Sequence, residues 1–443
     1  MSFSAGPFVL SRSLMIGLCC VIAVACSNQD VSPPLNPASE LSRNHATSNG
    51  WNEQTLFEFD VSNGQDAGNP IIRDSQGNLY GTTSKGGDTS PSGCSFSQTP
   101  AGCGVVFELS PSSSGWKQTL LHKFAGPPDG EVPFSGLARD TAGNLYGTTV
   151  SGGRLNPASC DQFWQGRNLG CGTVFTISAS GRYSIVHRFK GEPDGYGPAG
   201  ITVDPKGNLY GTTEFGGANN AGTVFKIDRK GKETVLYSFQ NADDGGEPIA
   251  PVVRDDAGDL FGTTQPGSSS CYNYGECGTV FELNSKGKFR VLYTFTLATS
   301  GLGPNQLIRD SSGTLYGTAW GGGSYYSVGS IWKISRNGAF TQLYAFTGYA
   351  DGQRPYGAVL RDRKGELYGT AWNGAAGGGT VWKLNKQGKL RVLYTFPYGG
   401  SSVLSHPKAN LVEDSSGNLY GPEEFGGVCS SCGGVFEVSP GTH

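Results

Sequence analysis

Three glutamates next to a Phe-Gly-Gly tripeptide are the residues of this sequence best suited to acid–base chemistry. Glu214 and the adjacent pair Glu423 and Glu424 stand just before such a tripeptide. Two carboxyl groups at a suitable separation can hydrolyse a glycosidic bond. Because the sequence does not fix that separation, the glutamates indicate a polysaccharide hydrolase or lyase only as the alternative function.

Large aromatic side chains lie in or near the same glycine-rich segments. They are Phe215, Trp320, Trp372, Phe425 and Tyr325. Flat rings among Asn, Ser and Gly suit sugar faces, which they contact through apolar area while polar neighbours form hydrogen bonds. The rings would instead be buried if they cap the ends of strands, and both interpretations stay open. With the three glutamates, these residues are the predicted ligand-binding candidates.

Other catalytic groups find little support. His122 and His187 occupy a position that holds tyrosine in related segments, which predicts a packing role, and His406 has no obvious partner. Zinc needs four ligands, and the segment from Cys429 to Cys432 supplies two cysteines. We therefore expect no metal site and no cofactor.

A repeated heptapeptide must position these residues. GNLYGTT occurs at 77–83, 143–149 and 207–213, and weaker copies occur at 258–264, 313–319, 365–371 and 417–423. The aromatic position of the seven copies is spaced by 66, 64, 51, 55, 52 and 52 residues. A fixed period near 50 residues is typical of a solenoid or a propeller.

Each copy contains four short strand-like segments, which we call strands A to D. In the third copy they are GITVD, NLYGTT, GTVFKI and ETVLYSF. The last copy stops after its strand C at 433–439, and a D-type segment, TLFEF at 55–59, precedes the first copy. A closed ring would use that segment to complete its last sheet, which removes exposed edges. The sequence therefore predicts an all-β, seven-bladed β-propeller over residues 51–443, with four-stranded antiparallel blades and a last blade closed by the N-terminal strand.

The loops decide where a ligand would bind. Because strands alternate in direction, the B–C and D–A loops open on one face, and the B–C loops vary most in length. We expect the site on this face, around the mouth of the central channel. The D–A loops repeat Asp-Gly, and an arginine ends most A strands. A ring of these aspartates could bind cations and a ring of these arginines could bind an anion. The favoured interpretations are a turn for each Asp-Gly segment and an ion pair for each arginine.

The N-terminal residues indicate export. Residues 1–25 read as a signal peptide, and 26–50 read as a disordered tether rich in Ser, Asn and Pro. The segment AVAC, which ends at Cys26, resembles the lipobox of bacterial lipoproteins, and this resemblance implies a lipid on Cys26. Ordinary secretion into the periplasm or medium is the other possibility.

The repeat itself resembles a known family. GNLYGTT, followed by Gly-Gly, GTVFKI and VLYTF, is similar to the Gloeo/Verruco (GloVer) tandem repeat of exported bacterial proteins. The resemblance covers nearly all of residues 51–443. It implies an extracellular propeller-like array, often joined to an anchoring signal, and it supplies no catalytic residues.

Cysteines and charge limit the partners. Eight cysteines beyond the leader form four local pairs, which predict the disulfides Cys94–Cys103, Cys160–Cys171, Cys271–Cys277 and Cys429–Cys432. The net charge of -3 argues against a nucleic-acid partner. We expect a monomeric surface or periplasmic protein that binds a glycan or an envelope protein and meets the membrane only through its lipid anchor.

Overall fold

The computed structural model describes residues 44–46, 50–88, 94, 102–153, 160, 169–265, 276–296, 300–322, 328–348, 350–374, 376–398 and 403–441. The predicted signal peptide, Cys26, most of the predicted tether, Tyr325 and Cys271 lie outside these residues. The described part of the chain forms seven small antiparallel sheets arranged in a ring, which confirms the seven-bladed β-propeller.

The first four blades each contain strands A to D in chain order. Their bounds are Ile72–Arg73, Leu79–Thr83, Val105–Ser112 and Gly115–Lys123 in blade 1; Ala138–Arg139, Leu145–Thr149, Thr173–Ile177 and Tyr183–Arg188 in blade 2; Tyr196–Val203, Leu209–Phe215, Thr223–Ile227 and Glu233–Ser238 in blade 3; Val253–Arg254, Leu260–Thr263, Glu276–Leu283 and Phe289–Thr296 in blade 4. Two short strands, Gly130–Glu131 before strand A and Ser151–Gly152 after strand B, pair with each other in the loops of blade 2.

In blades 5 and 7 strand A is split into two short pieces. The bounds are Leu302–Pro304, Ile308–Arg309, Leu315–Gly321, Ser330–Ile334 and Phe340–Ala345 in blade 5; Leu360–Arg361, Leu367–Ala371, Gly377–Leu384 and Leu390–Pro397 in blade 6; Ser405–Pro407, Val412–Glu413, Leu419–Phe425 and Gly434–Pro440 in blade 7.

The N-terminal strand closes the ring. Trp51–Glu58 pairs antiparallel with Gly434–Pro440 and so supplies strand D of blade 7, as predicted. One further strand, Asn44–Ala46, pairs with the outer side of Trp51–Glu58. The region predicted as a tether therefore contains three residues with strand structure.

The repeated heptapeptide is a hydrogen-bonding unit as well as a strand. In blade 1, the backbone and side-chain amides of Asn78 donate to the Asp74 carboxylate at 2.9 and 3.0 Å, and the Tyr80 hydroxyl donates to it at 3.1 Å. Burial would raise the pKa of Asp74, but these hydrogen bonds lower it below its usual value. The unit fixes the A–B turn, and the Tyr–Asp bond recurs in most blades.

The central glycine of the heptapeptide gives room to an aromatic ring of strand C. A Cβ on Gly81 would lie 2.6 Å from the Phe107 ring, and one on Gly317 would lie 2.4 Å from Trp332. Both rings are fully buried. The repetition of Gly at this position therefore follows from close packing within each blade.

The arginines that end the A strands contact residues of the preceding blade. Arg309 lies 3.2 Å from the Asp255 carboxylate of the preceding blade, and Arg361 lies 3.6 Å from Asp310. Arg73, Arg139, Arg254, Arg309 and Arg361 each place the guanidinium over an aromatic ring of the preceding blade. These contacts support the structural interpretation of the arginines.

Candidate functional site

The Asp-Gly segments of the D–A loops are turns. The Asp351 carboxylate accepts hydrogen bonds from the Tyr344 hydroxyl at 2.7 Å and from the backbone amides of Thr347 and Gly348 at 2.9 and 3.0 Å. Asp129, Asp194 and Asp244 likewise bind a His or Tyr of strand D. These carboxylates hold the loops, which supports the turn interpretation.

Just after these turns, each blade contributes one residue with a left-handed backbone. The set is Asp66 (φ 61°), Val132 (56°), Gly197 (64°), Glu247 (50°), Gly303 (63°), Arg354 (56°) and His406 (64°). We call these seven residues the mouth ring. Every member except Asp66 precedes a proline. A left-handed backbone costs a residue with a Cβ about 1–2 kcal/mol, yet five members are not glycine.

Hydrogen bonds fix the backbone of the mouth ring. The Arg354 amide donates to the Val328 carbonyl of the preceding blade at 2.9 Å, and the Arg354 carbonyl accepts from the Trp372 amide at 3.2 Å. Equivalent pairs of bonds hold Asp66, Val132 and Glu247. Between the ring and the A strands, neighbouring blades approach one another closely, since a Cβ on Gly357 would lie 2.5 Å from the backbone of Ala409. The mouth ring therefore lies on the face of the B–C and D–A loops, where the chain enters each blade.

Four of the predicted site residues share one position beside this ring. This position lies three residues after the central glycine of the heptapeptide. In blades 3, 5, 6 and 7 it holds Glu214, Trp320, Trp372 and Glu424. All four are partly buried; three lie on strand B, and Trp372 directly follows strand B of its blade. The sequence identified these residues but did not show that they are equivalent, because their types differ.

An arc of aromatic rings runs along blades 5 to 7. Ring centroids lie 6.4 Å apart for Trp320 and Tyr356, 6.3 Å for Tyr356 and Trp372, and 6.4 Å for Trp372 and Phe425. All four side chains are partly buried and partly exposed. We call these four residues the aromatic arc. The structure thus brings three predicted candidates together and adds Tyr356, while Phe215 lies apart, with its ring 5.4 Å from that of Tyr196.

His406 belongs to the wall of the arc. Its ring lies 4.7 Å from Trp372 and 5.2 Å from Phe425, and its Nδ1 is 2.9 Å from the Ser405 hydroxyl. Burial lowers the pKa of His406. It therefore has partners that the sequence did not reveal.

Glu424 links the arc to Lys408. Its carboxylate accepts a hydrogen bond from Trp372 Nε1 at 2.8 Å and an ion pair from Lys408 Nζ at 3.0 Å. Burial would lower the pKa of Lys408, but the charges of Glu424 and Asp66 raise it above its usual value. Asp66 itself pairs with Lys85 at 3.3 Å. Glu424 therefore fixes the orientation of the Trp372 indole and keeps Lys408 charged.

Glu214 has a different environment, although it occupies the same position in its blade. No hydrogen bond or ion pair to its carboxyl is found among the described residues. Burial and the nearby charge of Glu247 raise the pKa of Glu214 to about 8. At neutral pH this carboxyl is therefore mostly protonated and can donate a proton.

Glu423 is not accessible on the loop face. Its exposed fraction is 0%, and neither carboxyl oxygen has a hydrogen-bond partner among the residues described. Burial and the charges of Glu53 and Glu58 raise its pKa well above the usual value. A ligand in solution cannot reach this carboxyl, so we do not include Glu423 in the site.

Disulfides hold B–C loops of the same face. Cys94–Cys103, Cys160–Cys171 and Cys429–Cys432 are bonded with Cα atoms 5.2, 5.5 and 5.1 Å apart. Cys277 is also disulfide-bonded, and its predicted partner Cys271 lies outside the described residues. Such bonds persist in oxidising compartments.

The described ranges contain no group of three or more His, Cys, Asp or Glu side chains placed to hold a metal ion. They also contain no helix of the length and hydropathy that a membrane span requires.

Comparison with known proteins decides the family. The model of the Gloeobacter/Verrucomicrobia repeat matches residues 162–350 and 272–443, which together make up more than half of the chain. The chain belongs to this family. The resemblance inferred from the heptapeptides is thus confirmed. No curated protein matches the sequence.

Several solved structures are similar to this member of the Gloeobacter/Verrucomicrobia repeat family. PorZ, a surface component of the type-IX secretion system of Porphyromonas gingivalis, is 16% identical over 85% of this chain and 46% of PorZ, with a TM-score of 0.48. The extracellular domain of BT4673 from B. thetaiotaomicron is 12% identical over 86% of this chain and 39% of that chain, with a TM-score of 0.47. The gluconolactonase XC5397 from Xanthomonas campestris is 16% identical over 60% and 78%, with a TM-score of 0.37. Nothing about ligands or activities transfers at these levels of similarity.

Proposed function

We propose that this protein is an exported binding module that holds a glycan at the mouth of its propeller. The observation that carries the proposal is the aromatic arc, in which Trp320, Tyr356, Trp372 and Phe425 follow one another at 6.3–6.4 Å and stay partly exposed. Charged groups lie beside the rings, since Arg354 lies over Trp372 and the Glu424 carboxylate accepts a hydrogen bond from its indole. Sugars are bound by this combination of flat apolar area and convergent polar groups.

Export and anchoring form part of the same proposal. The disulfides in the B–C loops and the signal-like residues 1–25 favour an oxidising compartment outside the cytoplasm. The lipobox-like segment favours a lipid anchor on Cys26, with the propeller as a monomer on the outer membrane or cell surface.

Binding to a panel of polysaccharides tests the glycan proposal. We expect at least one glycan to retain the purified protein, and we expect Trp320→Ala to weaken that binding about tenfold through loss of stacking area. Trp116→Ala is the matched control, because Trp116 begins strand D of blade 1 at the opposite face and packs near Tyr420. Capture of an envelope protein with no retention by any glycan would contradict the proposal in favour of the protein partner.

One observation favours the enzymatic alternative. The Glu214 carboxyl is protonated at neutral pH, as a general acid of a glycoside hydrolase must be. An enzyme would release reducing or unsaturated ends from the glycan that it binds, and Glu214→Gln would abolish that release. Retention without any release would leave the binding function and exclude the enzyme.

A further inference from the structure

Arg354 places a positive charge in the mouth ring. Its Cζ lies over the Trp372 ring, 5.6 Å from the centroid. Among the residues that the structure describes, no carboxylate lies within ion-pair distance of the Arg354 guanidinium, and its buried Nε has no hydrogen-bond acceptor. By contrast, Arg309 and Arg361 on the opposite face each pair with one carboxylate, at 3.2 and 3.6 Å respectively.

The surroundings fix where the Arg354 guanidinium can lie. The backbone is held by hydrogen bonds on both sides, with φ at 56° and Pro355 next in the chain. The indole beneath the guanidinium is held by its hydrogen bond to Glu424. A guanidinium that lies on an aromatic ring keeps its in-plane N–H groups available, and their fork matches a carboxylate.

The acidic side chains near Arg354 already have other partners. Glu424 is paired with Lys408, and Asp66 is paired with Lys85. The Asp351 carboxylate accepts hydrogen bonds within its own turn. His406 faces the same indole, and burial lowers its pKa, which favours the neutral ring. Arg354 is therefore the cation beside the aromatic rings for which no ion pair is found among the described residues.

From this arrangement we infer that the ligand is an acidic glycan, and that Arg354 binds the carboxylate of a uronate residue whose ring contacts the aromatic arc. The inference rests on the proposed glycan-binding function and names the ligand class for that same site. Arg354 is thus the residue that determines specificity for acidic over neutral sugars.

Polygalacturonate and its fully methyl-esterified form provide the test, because they share a backbone and differ in charge. The unmodified protein is expected to bind the acid at least about tenfold more tightly than the ester, since a charge-assisted hydrogen bond is lost in the ester. Arg354→Gln is expected to reduce binding of the acid to the level of the ester. Arg290→Gln is the matched control, because Arg290 is 61% exposed on the outer strand of blade 4 and pairs with Glu282.

A second variant separates binding from folding. Arg354→Gly removes the side chain and places at this position the residue that blades 3 and 5 already carry, Gly197 and Gly303. It is expected to lose the preference for the acid while its thermal midpoint stays at or above that of the unmodified protein. Equal binding of acid and ester, or a preference that survives in Arg354→Gln, would overturn the inference. Failure to bind any glycan would contradict the proposed function instead.

Discussion

Glu424 and Glu214 occupy the same position in blades 7 and 3, but their surroundings give them opposite properties. Glu424 receives a lysine and an indole N–H, at 3.0 and 2.8 Å. Glu214 receives no such partner among the described residues, and its pKa is about 8. The comparison shows that the fold supplies a position at the channel mouth, and that the residues of the adjoining loops decide what chemistry stands there.

The largest expected effect is on the Glu424 side of this comparison. Glu424→Gln removes the charge that compensates partly buried Lys408, so we expect the free energy of unfolding to fall by about 2–3 kcal/mol at pH 7. Denaturant unfolding measures this change. Glu214→Gln under the same conditions is the matched control, and equal destabilisation by the two variants would show that the two sites do not differ.

The next effect concerns the pH dependence caused by Glu214. In the folded protein the carboxyl keeps its proton up to about pH 8, whereas the unfolded carboxyl loses it near the ordinary pKa of 4.5. The associated stability is therefore full below pH 4.5 and is lost as the pH rises to about 8.

Glu214→Gln should abolish this loss. We expect the variant to match the unmodified protein at pH 4–5 and to exceed its free energy of unfolding by about 1–2 kcal/mol at pH 9. Unfolding curves at several pH values measure the difference, and parallel pH profiles for the two proteins would disprove the raised pKa.

The left-handed backbone of the mouth ring predicts a smaller change in the free energy of unfolding. Gly197 has φ of 64°, and a Cβ added there would meet no atom closer than 3.7 Å, so Gly197→Ala changes the backbone cost without a steric clash. We expect a loss of about 1 kcal/mol in the free energy of unfolding. The control is Ala199→Gly in the same strand, and an unchanged stability of Gly197→Ala would mean that the ring conformation carries no strain.

The smallest effect is expected at the Asp66–Lys85 pair. Both side chains are about a quarter exposed at 3.3 Å separation, so we expect Lys85→Met to cost about 0.5 kcal/mol or less at pH 7. A loss as large as that of Glu424→Gln would show that the charges of blades 7 and 1 form one coupled network.

The sequence predicted the parts of the molecule that repeat. The heptapeptides gave the number of blades, and the unmatched segment TLFEF gave the strand that closes the ring. It also placed Trp320, Trp372 and Phe425 near the B–C loops, and the predicted binding role of these residues stays a prediction. These features depend on local patterns that recur with a fixed period, and such patterns are visible in one sequence.

The sequence did not predict the mouth ring, because no one residue type marks its positions. Its members share a backbone conformation but not a residue type, as Arg354 and His406 illustrate, and the X-Pro dipeptide was the available signal. The contact between Trp372 and Glu424 joins residues 52 positions apart in different blades. The carboxyl of Glu423 is affected by the charges of Glu53 and Glu58, which lie on the N-terminal strand. Contacts of this kind require the assembled ring.

The shared blade also sets a condition for folding. Trp51–Glu58 and Gly434–Pro440 belong to one sheet although six blades separate them along the chain, so the last sheet is complete only after the ring has formed. Until these two strands pair, each exposes a sheet edge that can associate with other chains, and aggregation of such an intermediate competes with closure.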